Sequence, residues 1–253
     1  MNQIIPPYKI LSADCDRHGF WRMNRILVLM QELAGEHSEQ LGFSFANTLK
    51  LGAVWVVTRN EFEVLRYPVI GQRVIGRSFP GRARRGIYPR YYQIEDEQGK
   101  ALVRGSSFWA LADVETRSMT DRQEIVDAMP DNSALTPYFR NPMAPEEVQG
   151  EDIKTGAWQP VYTDLDRNGH VNNTRAADWA LCFLSQEADL SRHPVKSLAA
   201  SYHKEMLEGQ QVDLAFSFRE TAFGLRCETN GEAALKMSGT LSEKAVSPGE
   251  ALY

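Results

Sequence analysis

At 253 residues, with 43% hydrophobic and 24% charged side chains, the chain can bury a sizeable core, as one large domain or two of ordinary size. Its net charge of −5 argues against general affinity for nucleic acid, whose phosphates demand a basic surface, and no apolar run is long enough to span a bilayer. Cys15, Cys182 and Cys227 are odd in number and scattered without CxxC spacing, which points to free thiols rather than a disulfide framework or thiolate metal site. The first residues lack signal- or transit-peptide patterning, so the expectation is a cytoplasmic protein.

In chain order, Ile26, Leu27, Met30, Leu33, Ala34 and Leu41 recur at helical spacing and predict a helix over 24–41, with Asn24 as its cap and Gly42 as its end. Strand-like runs follow at 53–66, 73–79, 87–94 and 101–111, the last two joined by a turn at 97–100. Within this meander Arg82, Arg84 and Arg85 make a basic loop without acidic residues, either a solvated turn or a docking patch for an acidic partner. Residues 121–156 carry Pro130, Pro137, Pro142 and Pro145 among polar residues and read as a linker. Beyond it come a short strand at 158–162 and a helix over 173–186, capped by Asn172 or Asn173. Strands at 195–203, 212–219, 225–229 and 233–241 complete the chain, with Asn230-Gly231 as a hairpin turn. Each half is thus a long helix wrapped by an antiparallel sheet: an α+β chain of tandem hotdogs, 1–120 and 157–253.

The two halves also share sequence. Asp164, Asp166, Arg167 and Gly169 repeat Asp14, Asp16, Arg17 and Gly19 at an offset of 150. Gly209, Gln210 and Val212 repeat Gly71, Gln72 and Val74 at an offset of 138. The copies differ where chemistry is concerned: His18 stands opposite Asn168, Phe20 opposite His170, and Tyr67 opposite Glu205. Only the second copy keeps reactive polar groups. Asp-x-Asp-x-Asn-Gly also resembles the front of a calcium loop, but the twelfth position from Asp164 is Arg175 rather than glutamate, so no metal is expected.

In the second half, Asp164-Leu165-Asp166-x-Asn168-x-His170-Val171-Asn172-Asn173, Trp179 and Tyr202-His203-Lys204-Glu205 resemble the central motifs of the acyl-acyl-carrier-protein thioesterases of bacteria and plant plastids. Trp55-Val56-Val57-Thr58-Arg59, Arg66-Tyr67-Pro68 and Arg104-Gly105-Ser106-Ser107-Phe108-Trp109 are similar to further blocks of that family, so the resemblance runs nearly end to end. It implies an enzyme that hydrolyses fatty acyl carrier protein to free fatty acid, ending fatty acid synthesis, with Asp166, Asn168, His170 and Glu205 as the catalytic set and no cofactor. Met206 stands where many plant members have cysteine, which excludes a thiol nucleophile there and leaves attack by water. The implied partner is an acidic carrier protein, for which Arg82, Arg84 and Arg85, or Lys196 and Lys204, are docking candidates. The chain is expected to be a monomer or homodimer.

A thioester needs an activated water and stabilisation of the oxyanion; its thiol, with a pKa near 8.5, needs little help in leaving. Glu205 is the expected base, with Asp166 as a rival or as the group that orients its neighbours. Asn168 would position water or the carbonyl, and His170 would orient the acid or polarise the thioester. Because the motif ends where the second helix is predicted to begin, the N–H groups of Val171 and Asn172 are expected as oxyanion donors. Trp21, Met23, Leu29, Met30, Trp55 and Trp109 are candidates for lining an acyl tunnel in the first half or for plain core. The alternatives are an acyl-CoA thioesterase, a hydratase of the same fold, and a non-catalytic acyl-binding regulator.

Overall fold

A computed structural model describes residues 2–149 and 152–253; Met1 of the expected first unit and Gly150 and Glu151 of the expected linker lie outside the described residues. The first half contains β1 (Pro7–Lys9), α1 (Met23–Gln40), α2 (Phe45–Lys50), β2 (Ala53–Val64), β3 (Arg73–Pro80), β4 (Tyr88–Asp96), β5 (Ala101–Asp113) and β6 (Met119–Thr120). After α3 (Gln123–Ala128), the second half contains β7 (Lys154–Trp158), α4 (Arg175–Glu187), β8 (Val195–Tyr202), β9 (Val212–Arg219), β10 (Ala222–Thr229) and β11 (Glu232–Leu241).

The strands form one antiparallel sheet in the order β1-β3-β4-β5-β2-β8-β11-β10-β9-β7, with β6 paired to β5. That order is a palindrome of equivalent strands about the β2–β8 seam, where Arg59 to Glu63 pair with Ser201 to Ser197. Phe62 lies opposite Leu198 at the seam, and each faces a glycine on its other side, Gly105 and Gly239 respectively. The glycines matter sterically. A Cβ on Gly105 would meet the Glu61 carbonyl at 2.9 Å and Met30 of α1 at 3.1 Å, and one on Gly76 would meet Leu33 of α1 at 2.8 Å. Their missing side chains let α1 sink Met30 and Leu33, both nearly inaccessible to solvent, into the sheet face. Such burial stabilises by roughly 1.5–3 kcal/mol per large apolar side chain.

The predicted elements shift at their ends. Asn24 does not cap α1: Arg22 occupies the cap position, and Asn24 lies inside the first turn, donating to Asp178 of α4 at 2.8 Å. Gly42, at φ +88°, does end that helical segment. The expected strand at 158–162 is instead the end of β7 followed by a 3-10 turn, Tyr162–Asp164. The expected linker, 121–156, contains α3 and the start of β7. Its middle is a strap pinned across the sheet: Asn132 donates to the Pro80 carbonyl, Tyr91 to Asn141, the Met143 N–H to buried Glu61, and the Glu146 N–H to Ser238. Proline-rich chain suits this role, because it stays extended and its partners come from the sheet. No helix among the described residues is long and apolar enough to cross a membrane.

Candidate active site

The repeated loops fold alike because their shared residues serve the backbone. Asp14 accepts from the Leu11 N–H (2.8 Å) and Tyr8 (3.0 Å) and pairs with Arg25 (3.1 Å). Asp164, 150 positions on, accepts from the Val161 N–H (3.1 Å) and the Trp158 indole (3.1 Å) and pairs with Arg175 (2.8 Å). Burial alone would raise the Asp164 carboxyl, but those three donors outweigh it and hold it below its ordinary value. Asp16 accepts from the N–H groups of His18 and Phe20, and Asp166 from those of Asn168 (2.8 Å) and His170 (3.3 Å). Gly19 and Gly169 turn the chain at φ +86° and +78°, values that favour glycine.

What the copies do not share meets at the second loop. Glu205 follows β8, and its carboxylate lies 3.2 Å from His170 Nε2. The Val171 N–H donates to the Met206 carbonyl at 2.8 Å, tying the His170 loop to the Glu205 loop. A third group, absent from the sequence expectation, completes the contact: Arg117 Nη1 lies 3.0 Å from both oxygens of Glu205. Arg117 arrives from the first half on the β5–β6 turn, with φ +59°. The N–H of Thr116, the Arg122 guanidinium and the N–H of Glu115 bind Asp113 at the base of that turn and pull its carboxyl down to about 2. At the equivalent place in the first copy, Phe20 and Tyr67 pack edge to face at 5.0 Å, and the Tyr67 hydroxyl donates to the Val195 carbonyl. Only about 10 Å³ of free space remains beside them.

A cavity of about 1100 Å³ opens at the second loop. Asp166, Asn168, His170 and Glu205 all line it, and it extends into the first half between α1 and β2, β4 and β5. Trp55 and Trp109 line it; Trp21, Met23, Leu29 and Met30 belong to the buried core. Tyr202, beneath the site, accepts from Asn60 at 3.2 Å, and burial pushes its phenol up to about 12. The expected oxyanion donors are a correction. Val171 N–H is engaged by Met206, Asn172 N–H donates to the Asp164 carbonyl at 2.8 Å, and α4 begins only at Arg175. Neither N–H is free, because each holds the loop in shape. Asn172 instead accepts from the Thr174 N–H through its side chain. Asp166 is likewise engaged in the turn through Oδ1, leaving Oδ2 3.5 Å from the Asn168 amide. Arg82, Arg84 and Arg85 are exposed on the β3–β4 loop and do not line the cavity. No cluster of three or more His, Cys, Asp or Glu able to hold a metal occurs among the described residues.

Comparison with known proteins adds an independent observation. The family model for the acyl-ACP thioesterase N-terminal domain matches residues 4–129, and that for the C-terminal domain matches 148–241. Among curated proteins, the chain is 29% identical over 168 residues to an acyl-[acyl-carrier-protein] hydrolase of Cuphea viscosissima, covering 62% of this chain and 40% of that protein. It is 28% identical over 228 residues to oleoyl-acyl carrier protein thioesterase 2 of Arabidopsis thaliana, covering 84% and 59%. The chain therefore spans about half the length of these curated relatives. Among solved structures, the 12:0-ACP thioesterase of Umbellularia californica superposes with a TM-score of 0.82 at 20% identity, covering 94% of this chain and 96% of that one. An acyl-ACP thioesterase of Bacteroides thetaiotaomicron gives 0.80 at 21% identity, covering 94% and 97%. These superpositions establish the double hotdog fold.

Proposed function

Since the chain belongs to the acyl-ACP thioesterase family, both of whose domain models it matches, we propose that it hydrolyses fatty acyl thioesters of acyl carrier protein. The observation that carries this reading is the contact of His170 with Glu205 at the wall of a cavity large enough for an acyl chain. Carrier-linked rather than CoA-linked substrate is favoured by the names of the curated relatives.

In this reading the acyl tail enters the cavity between α1 and the first-half strands, and the thioester carbon rests beside His170. Glu205 takes a proton from water, whose oxygen bonds to the acyl carbon. The tetrahedral intermediate expels the carrier thiolate as the C–S bond breaks, and the proton passes from Glu205 to sulfur. Free fatty acid and carrier thiol result. Asn168 orients water or the carbonyl, His170 polarises the ester and holds Glu205, and Asp166 fixes the turn that presents both. Arg117 is a positioning residue that sets the Glu205 carboxylate through two hydrogen bonds. The first half, 1–120, houses the tail and the second, 157–253, supplies the reactive groups, joined by the strap within 121–156.

Arg82, Arg84 and Arg85 form the surface we assign to the acidic carrier, being exposed and in no salt bridge among the described residues, with Asp131 near enough to Arg82 to feel its charge. Three free cysteines fit a reducing compartment such as the cytoplasm. The paired halves already supply the double hotdog within one chain, so a monomer suffices. Incubation with carrier-linked acyl thioesters of graded length, measuring thiol and free acid, tests the reading. Release of both in equal amounts is expected; cleavage of CoA esters alone, or binding without turnover, would overturn it.

A further inference from the structure

The acyl cavity has one wall unsuited to hydrocarbon. Arg90 of β4 is only 6% exposed yet lines the cavity, and among the described residues no carboxylate pairs with it. Its Nη1 lies 3.1 Å from His37 Nδ1 and 3.2 Å from Ser78 Oγ. Burial pushes the guanidinium down from its ordinary value. A guanidinium carries five N–H donors in a fixed fork, and one buried without an opposite charge is costly unless acceptors meet those donors. Arg90 is also the end of a buried polar row. Sheet pairing sets it opposite Ser107, and Ser107 opposite Asn60, which reaches Tyr202 beneath the reactive groups. The β4 strand lies three strand spacings from β8, about 14 Å, so Arg90 is remote from the thioester and would meet the distal part of the tail. A saturated chain laid there would strip water from the guanidinium and return no acceptor.

We propose that this wall is a subsite for an oxygen function on the acyl chain, in which Arg90 donates hydrogen bonds to a hydroxyl or second carboxylate at the end remote from the thioester. The assignment rests on the thioesterase reading for the polarity of the bound chain. It deepens that reading by naming the substrate class as oxygenated acyl groups. A carboxylate would pair with the charge and a hydroxyl only with the donors, so the two differ in what they require of residue 90.

The test uses the full chain and non-hydrolysable amide analogues of acyl-pantetheine, whose head group cannot mimic the distal oxygen. Series of graded length ending in methyl, hydroxyl or carboxylate are titrated by quenching of the tryptophans, two of which, Trp55 and Trp109, line the cavity. At the length that reaches Arg90, an oxygenated analogue should bind about tenfold or more tightly than its methyl counterpart. Arg90→Met should abolish or reverse that ranking. Arg90→Gln should lose the preference for carboxylate while keeping part of that for hydroxyl. Thermal unfolding establishes that the variants fold; if neither does, the wild-type ranking decides alone. Tightest binding of the methyl series at every length, or an unchanged ranking in Arg90→Met, would refute the subsite. Thiol release from the parent thioesters is followed separately: its absence refutes the hydrolase reading and leaves the ranking to judge the subsite.

Discussion

Glu205 lies between two basic groups from different places in the chain, the His170 imidazole of its own half and the Arg117 guanidinium of the other. If Glu205 is the base, Glu205→Gln keeps the shape and removes the proton acceptor, and kcat should fall by about 10²–10⁴ with KM little changed. Arg117→Ala should lower kcat by a smaller factor, and Arg117→Lys should recover much of it, since Nη1 alone reaches both oxygens and a lysine ammonium supplies the same charge from one nitrogen. Steady-state kinetics on carrier-linked substrate read both; equal loss in the lysine and alanine variants would argue that a positive charge on this turn is not what Glu205 needs. The sequence makes His170 and Glu205 visible because the first copy has Phe20 and Tyr67 in their places. Arg117 carries no such mark. It sits in an ordinary polar turn, and only its left-handed backbone and the approach of the two halves direct it to Glu205. The oxyanion expectation failed for the opposite reason: residues preceding a helix look like free donors until tertiary partners such as Met206 are known.

The loop before each helix depends on one buried acid. Asp164→Ala would strand the Val161 N–H, the Trp158 indole and part of Arg175, and should cost about 2–4 kcal/mol in denaturant unfolding; Asp14→Ala should cost a comparable amount through Leu11, Tyr8 and Arg25. The Asp164 carboxyl lies below its ordinary value when folded, so its contribution is present above the unfolded aspartate pKa of about 3.9 and is lost as pH falls through the folded one. Asp164→Asn should therefore flatten the acid limb of the stability curve, and an unchanged limb would show that the carboxylate contributes nothing there. At this scale periodicity located the long strands and α1 to within a few residues. It missed α2, α3, β1 and β6, which are too short for any period to show. It also started α4 too early, because Asn172 binds the Thr174 N–H through its side chain, Asn173 turns to Tyr202 in the cavity wall, and Thr174 takes the cap position.

Across the whole molecule, the repeats at offsets of 150 and 138 made the double hotdog legible, since equivalent strands must then take mirrored places about a seam. The seam pairing itself, the strap over the sheet and the extent of the cavity were not legible. Each arises from how two units pack, which neither unit's pattern encodes. If the carrier docks on Arg82, Arg84 and Arg85, raising salt from low to physiological strength should raise KM for carrier-linked substrate while leaving kcat nearly constant. Charge reversal at the three positions should reproduce that rise and remove the salt dependence; a triple variant with unaltered KM would move docking elsewhere. Phe20 is wedged against Tyr67 where the other loop holds imidazole and carboxylate, and among the described residues that place leaves only about 10 Å³ beside them. Titration of bound substrate should therefore count one tail per polypeptide, with hyperbolic saturation. Two working mouths on mirrored halves would have driven two tails toward the same seam.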